Sequence, residues 1–254
     1  FVVQSVEKPL PGVDRALVIA GSDKRGTIYG VYDLSAQIGV SPWSWWADVP
    51  VRHQASLYVL PGRHTQGEPA VKYRGIFIND EAPAFSGWTR EKFGGVNHLV
   101  YERMFELILR LKGNYLWPAM WGNAFADDDS LNPVLADRYG IVMGTSHHEP
   151  MTRAQQEWRR YGHGPWNYEQ NDSTLRAFWR KGIERMGTRE NIVTRLNGFG
   201  PSVAPEKLLV LSAKSPGTSP WKSCWICVMP RCSSCLAVMM VMAFGTALSS
   251  VGIT

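Results

Sequence analysis

From Lys72 onward, apolar and polar positions alternate between two periods, and the switching predicts strands separated by helices. Ile76, Phe77 and Ile78 form the apolar centre of a strand over Lys72 to Asp80. Leu99, Val100, Met104, Leu107, Ile108 and Leu111 recur at helical spacing over Asn97 to Lys112, and Gly113 closes that helix. A second strand is expected at Asn114 to Met120, then a short helix from Ser130 to Tyr139, capped by Asp129 or Ser130 and stopped by Gly140. A third strand follows at Ile141 to Ser146. Thr152 to Tyr161 and Ser173 to Met186 read as further helices, and Asn191 to Thr194 as the start of a fourth strand. Strands alternating with helices predict a parallel sheet with crossover connections. Residues 1–66 have a different grammar and read as a small α/β domain: strands at Ala16 to Ala20 and Ser56 to Leu60 flank a helix over Gly26 to Gly39.

A parallel series belongs to an open doubly wound sheet or to an eight-stranded barrel. The turn after the first strand, Asn79-Asp80-Glu81-Ala82-Pro83, is acidic and has no glycine-rich phosphate fingerprint. That opposes a bound phosphate and favours an incomplete (β/α)8 barrel over residues 67–194. In a barrel the chemistry sits at the carboxyl ends of the strands, which selects Asn79, Asp80 and Glu81, then Trp117, Trp121 and Asn123, then His147, His148 and Glu149. Paired carboxyls such as Asp80 and Glu81 suit acid–base work, because one neighbour stays ionised while the other is pushed towards its neutral form. The alternative is capping of the following turn. His147 and His148 are adjacent on a strand and point to opposite sides, so hydrogen bonding to a sugar fits them better than a shared metal. Asp127-Asp128-Asp129 resembles a calcium loop only superficially, since consecutive carboxylates diverge; helix capping is the expectation. Three tryptophans in Ser41-Pro-Trp-Ser-Trp-Trp-Ala-Asp48 are either a sugar-stacking platform or a packing plug, with packing preferred. Packing is also the expectation for Trp158, Trp166, Tyr168 and Trp179.

Composition adds a boundary. The chain carries a net charge of +5, but residues 195–254 hold five Lys or Arg against Glu206 alone, which leaves 22 basic and 21 acidic residues before them. A nearly neutral body excludes nucleic-acid binding as the leading reading. The same stretch, 195–254, holds all four cysteines, Cys224, Cys227, Cys232 and Cys235, and the strand–helix grammar stops there. Four residues between the two C-x-x-C pairs leave little chain to wrap a zinc ion. Residues 233–254 are uncharged and about long enough for a membrane span, yet lack flanking aromatic and basic anchors, so a tail foreign to the fold is preferred to an anchor. The sequence opens at Phe1 with no signal-like segment, so the expectation is that any export signal has been removed or lies upstream.

Four strings then carry a resemblance: Lys72-Tyr-Arg-Gly-Ile-Phe-Ile-Asn-Asp-Glu81, Phe93-Gly-Gly-Val-Asn97, Gly113-Asn-Tyr-Leu-Trp-Pro-Ala-Met-Trp121 and Gly144-Thr-Ser-His-His-Glu-Pro-Met151. Together with Gly26 to Asp48, the chain from about Ala16 to Thr194 resembles glycoside hydrolase family 115. The resemblance implies a secreted enzyme that removes glucuronic acid or its 4-O-methyl ether from glucuronoxylan or its oligosaccharides. It implies inverting hydrolysis without a metal or organic cofactor, and a capacity of family members to dimerise. It also places Asp80 at the sugar-binding mouth, with Trp121 and one of His147 or His148 in the pocket. The pattern departs after Thr194, where Arg195-Leu-Asn-Gly-Phe-Gly200 replaces the family's acidic, glycine-rich strand end. The expectation is therefore a truncated and impaired hydrolase, with a carbohydrate-binding remnant or a protein anchored through residues 233–254 as alternatives.

Overall fold

Gly12, at φ +81°, closes the tight turn between β1 (Val2–Leu10) and β2 (Val13–Ala20), which pair antiparallel from Val2 opposite Ala20 to Leu10 opposite Val13. The computed structural model describes residues 1–145, 149–189 and 191, and the backbone of a strand at Met239–Ala243. These form a mixed α/β structure in two compact units. One comprises Phe1–Arg74, Leu107–Gly113 and the Met239–Ala243 strand; the other comprises Gly75–Glu106 and the described residues from Asn114 onward.

In the first unit, α1 (Lys24–Gln37) begins where the Asp23 carboxylate accepts the Gly26 amide at 2.6 Å, an N-cap that satisfies an otherwise orphaned donor. Val3, Leu17 and Ile19 form the core with Phe1, Val31 and Leu34. Gly30 lets α1 approach the sheet, since a Cβ there would stand 2.6 Å from Ile19. A short strand, β3 (Arg63–Thr65), adds to the free side of β1, and Met239–Ala243 adds antiparallel to β2. The strand expected at Ser56 to Leu60 is not formed. Those five residues are exposed and pair with nothing in the sheet, because β3 takes the edge of β1 instead. Trp43 and Trp45 are exposed, and the Trp45 and Trp46 rings meet edge to face at 4.9 Å.

The second unit is the expected parallel series. β4 (Gly75–Phe77), β5 (Tyr115–Trp117) and β6 (Val142–Met143) are parallel in that order, with Ile76 opposite Leu116 and Leu116 opposite Met143. The Met143 amide donates to the Asn191 carbonyl at 2.7 Å, on the side of β6 where a next strand would lie; the rest of the fourth strand expected at Asn191 to Thr194 lies outside the described residues. Between β4 and β5 run α2 (Ala84–Phe93), which sequence periodicity missed, and α3 (His98–Arg110). Between β5 and β6 run a single turn, α4 (Phe125–Asp128), and α5 (Leu131–Tyr139), ended by Gly140 at φ +72° as expected. A 3₁₀ turn at Pro150–Thr152, α6 (Gln155–Tyr161) and α7 (Tyr168–Glu184) follow β6.

The sheet packs on buried Val100, Tyr101, Phe105, Leu116, Met120 and Ile141. Met151, Tyr168, Leu175, Phe178 and Trp179 make a second core with Trp158, as expected for these aromatics. Asp129 does cap: its carboxylate accepts the Leu131 amide at the head of α5 and the His98 amide at the head of α3, at 2.9 and 3.0 Å. No described helix is long and apolar enough to cross a membrane. All four cysteines, and residues 233–254 apart from the strand backbone, lie outside the described residues.

Candidate active site

The Ile78 amide donates to the Trp117 carbonyl at 3.0 Å, extending the ladder between β4 and β5 and delivering Asp80 to the loop that leaves β5. There Asp80 is 2% exposed and is surrounded by donors. Its Oδ1 accepts the Met120 amide at 3.2 Å, both oxygens share the Trp121 amide at 3.2 and 3.1 Å, and Oδ2 accepts the Asn123 side-chain amide at 2.6 Å. Ser86 donates to the Asp80 carbonyl from the first turn of α2. The Ala119 amide donates to the buried Tyr101 hydroxyl at 3.2 Å, and burial pushes that hydroxyl's pKa strongly up, keeping it neutral. The loop from Pro118 to Asn123 is thus tied from below through its backbone amides, while the Trp121 ring remains half exposed above.

Of the predicted site residues, the structure brings Asp80, Trp121 and Asn123 into one knot. Asn79 and Glu81 flank Asp80 but are exposed. His147 and His148 lie outside the described residues. Glu149, 2% exposed, lines a cleft of about 220 Å³ whose wall also includes Pro118, Phe125, Thr145, Glu157 and Arg185. The Thr145 hydroxyl donates to the Glu149 carbonyl at 2.6 Å. Gly144 is required beneath the cleft, because a Cβ would stand 1.8 Å from the Tyr115 hydroxyl. Among the described residues, no group of three or more His, Cys, Asp or Glu side chains is arranged to hold a metal ion.

Sequence reasoning missed the charged residues on the far wall. Glu157, 1% exposed, accepts hydrogen bonds from Arg185 on both oxygens at 2.7 and 3.0 Å and forms an ion pair with Arg153, whose Nε lies 3.1 Å away. The i, i+4 spacing of Arg153 and Glu157 was the available signal. The turn before them is left-handed at Met151 and Thr152, φ +54° and +60°, a conformation that a β-branched residue resists. Arg185 donates to the Thr152 carbonyl, and the Thr152 hydroxyl donates to the Gly182 carbonyl at 3.1 Å. From the near side, Gln156 donates to the Trp121 carbonyl, and Arg160 meets Asp127 and Asp128 at 2.6 and 2.7 Å. Helix α6 therefore braces the same loop that Asp80 holds.

Residues 66–198, which contain β4 to β6, the Asp80 knot and every lining residue of the cleft, match the model of glycosyl hydrolase family 115. The chain belongs to glycosyl hydrolase family 115. A solved family 115 structure, a 4-O-methyl-α-glucuronidase described as specific for decorated arabinogalactans, superposes with a TM-score of 0.69 at 32% identity. The superposition covers 83% of this chain and 29% of that one, so the chain spans less than a third of the relative's length. No curated protein matches the chain. Within the matched segment, the loops that follow β4 and β5 carry Asp80, Trp121 and Asn123.

Proposed function

We propose that this chain carries part of the catalytic domain of a secreted α-glucuronidase, built as a (β/α)8 barrel. It removes glucuronic acid or its 4-O-methyl ether from a decorated polysaccharide by inverting hydrolysis. The observation that supports this reading best is the knot of Asp80, Trp121 and Asn123 at the carboxyl ends of two neighbouring parallel strands of a family 115 chain, where barrel enzymes keep their chemistry, with Glu149 on the segment that follows the third strand.

The knot divides the labour. Every hydrogen bond to the Asp80 carboxylate comes from a donor on one loop, so Asp80 sets the height of Trp121 and Asn123 rather than moving a proton. The exposed face of Trp121 suits stacking against the C–H face of a sugar ring. Inversion needs two carboxyls roughly 6.5–9.5 Å apart, one to protonate the leaving oxygen and one to activate water. On this chain Glu149, in the cleft, and Glu81, at the open mouth, are the carboxyls assigned to that work.

The test is to incubate the purified chain with glucuronoxylan oligosaccharides and, separately, with glucuronate-decorated arabinogalactan, following the released uronic acid by proton NMR. The β-anomer should appear first, and Glu149→Gln should lower the rate by about a hundredfold or more. No uronic acid from either substrate with folded protein would sink the assignment of both catalytic carboxyls to this chain, and first appearance of the α-anomer would sink inversion alone.

A further inference from the structure

Trp43 and Trp45, for which packing is the expectation from sequence, are 45% and 41% exposed on the first unit. The turn that carries them is fixed by its own hydrogen bonds. The Trp43 amide donates to the Ser41 hydroxyl at 3.1 Å, the Ser44 amide to the Ser41 carbonyl at 3.1 Å, and the Ala47 amide to the Trp43 carbonyl at 2.8 Å. The Trp46 ring meets Trp45 edge to face at 4.9 Å and steadies it. Indoles already held in place lose little conformational freedom when a ligand covers them. Beyond the turn, residues 47–72 are exposed throughout. Between Asp48 and Glu68 this stretch has no acidic residue and carries Arg52, His53, Arg63 and His64. The side chains of Arg52 and Arg63 have no ion-pair partner among the described residues, so their charge faces solvent.

We propose that the Trp43–Trp45 turn and the basic stretch after it form a holding surface for an acidic polysaccharide, one that keeps the polymer on the protein and takes no part in bond cleavage. Two features together choose this occupant. Indole faces stack on the C–H faces of pyranose rings and do so for neutral and acidic sugars alike. Uncompensated arginines add attraction for a polymer that bears carboxylates and none for a neutral one. A second copy of this chain fits less well, because a self-complementary contact would bring the same positive stretch against itself. The surface lies ahead of residues 66–198, the segment that matches the family model. The proposal rests on the glucuronidase reading for the class of polymer and extends it to residues with no part in the chemistry.

The experiment measures binding of the full chain to bead-coupled glucuronoxylan, glucuronate-decorated arabinogalactan and, as the neutral control, arabinoxylan freed of uronic acid. Wild type should bind both acidic polymers about fivefold or more tightly than the neutral one, and salt should narrow the gap. Replacing Trp43 and Trp45 together by Ala should weaken binding to all three polymers by about tenfold or more, the usual effect of removing an aromatic anchor. Trp43→Ala alone, which leaves the Trp45–Trp46 contact intact, should lose about threefold or more if the pair disturbs the fold as read by far-ultraviolet circular dichroism. Arg52→Gln with Arg63→Gln should bring the acidic polymers down to the neutral level, and Trp121→Ala should keep most of the binding. No binding by folded wild type, undiminished binding without the two tryptophans, or a dimer in sedimentation that their removal converts to monomer would each overturn the proposal. Failure of the underlying reading looks different. Tryptophan-dependent binding without release of uronic acid removes the catalytic assignment alone, and release with binding indifferent to Trp43 and Trp45 removes only the holding surface.

Discussion

Replacing Asp80 by Asn keeps the size of the side chain and removes half of its accepting capacity. The carboxylate now serves three donors, the amides of Met120 and Trp121 and the side chain of Asn123. An Asn side chain has one accepting oxygen and turns an NH2 group towards at least one of those donors. The loss combines a charge-assisted hydrogen bond, about 1.5–3 kcal/mol, with a buried donor left unsatisfied, about 1–3 kcal/mol, and partial relaxation of the loop reduces the total to about 2–4 kcal/mol. Because the damage is local, the sensitive assay is hydrogen exchange of the Met120 and Trp121 amides by mass spectrometry. At about 1.4 kcal/mol per factor of ten, their exchange should quicken by about thirty- to a thousandfold in Asp80→Asn. Asp80→Ala, which strips all three partners, should cost more. Exchange of both amides at the wild-type rate in Asp80→Asn would refute the claim that the carboxylate holds this loop.

Three further outcomes follow from the packing. Glu157→Ala leaves buried Arg153 and partly buried Arg185 without their shared counterion and should destabilise the second unit by about 3 kcal/mol in urea denaturation, while Glu157→Gln, which keeps one acceptor, should cost less. Gly182→Ala places a methyl group 2.3 Å from the Met151 carbonyl oxygen and 2.6 Å from Arg153, and should cost about 1–3 kcal/mol by the same measurement, with no such loss at open Gly87. Asp129 gives a pH signature. Burial raises its pKa, but the amide and ring of His98 and the Leu131 amide outweigh that, and the net shift is down. A depressed folded pKa means stability that is present above the unfolded value of about 3.9 and is lost as pH falls through the folded value. Asp129→Asn should abolish that part of the acid dependence, read as the urea midpoint between pH 5 and pH 2.

The parallel series was legible because β5, β6 and one face of α3 are buried: Leu116, Val142, Val100, Met104 and Ile108 are core residues whose spacing must follow the fold, whereas Ile76 and Phe77 of β4 are exposed. The segment from Ser56 to Leu60 shows the opposite case. Its aromatic and branched residues satisfy strand propensity, but propensity measures fit to a half-buried pleated surface, and these residues have none to cover. Helix α2 escaped notice for a related reason: Thr89 alone is buried along it, so its apolar positions trace no clear stripe. Asp80 was visible in the sequence as a residue at a strand end, yet its partners were not, because main-chain amides leave no mark in a sequence. The pair of Arg153 and Glu157 was in plain view, whereas Arg185 joins them from 28 residues away through tertiary packing.

The left-handed turn at Met151 and Thr152 bears on the order in which this unit assembles. Neither residue holds that backbone on its own, and the contacts that impose it come from Gly182 and Arg185, at the far end of α7. The turn cannot settle during collapse of the neighbouring segment; it waits for a loop of about thirty residues to close. Substitutions at Thr152, Gly182 and Arg185 should therefore leave the refolding rate nearly untouched and accelerate unfolding, the kinetic signature of contacts made after the transition state. The last structure to form is then a wall of the cleft itself, since Thr152 and Arg185 both line it.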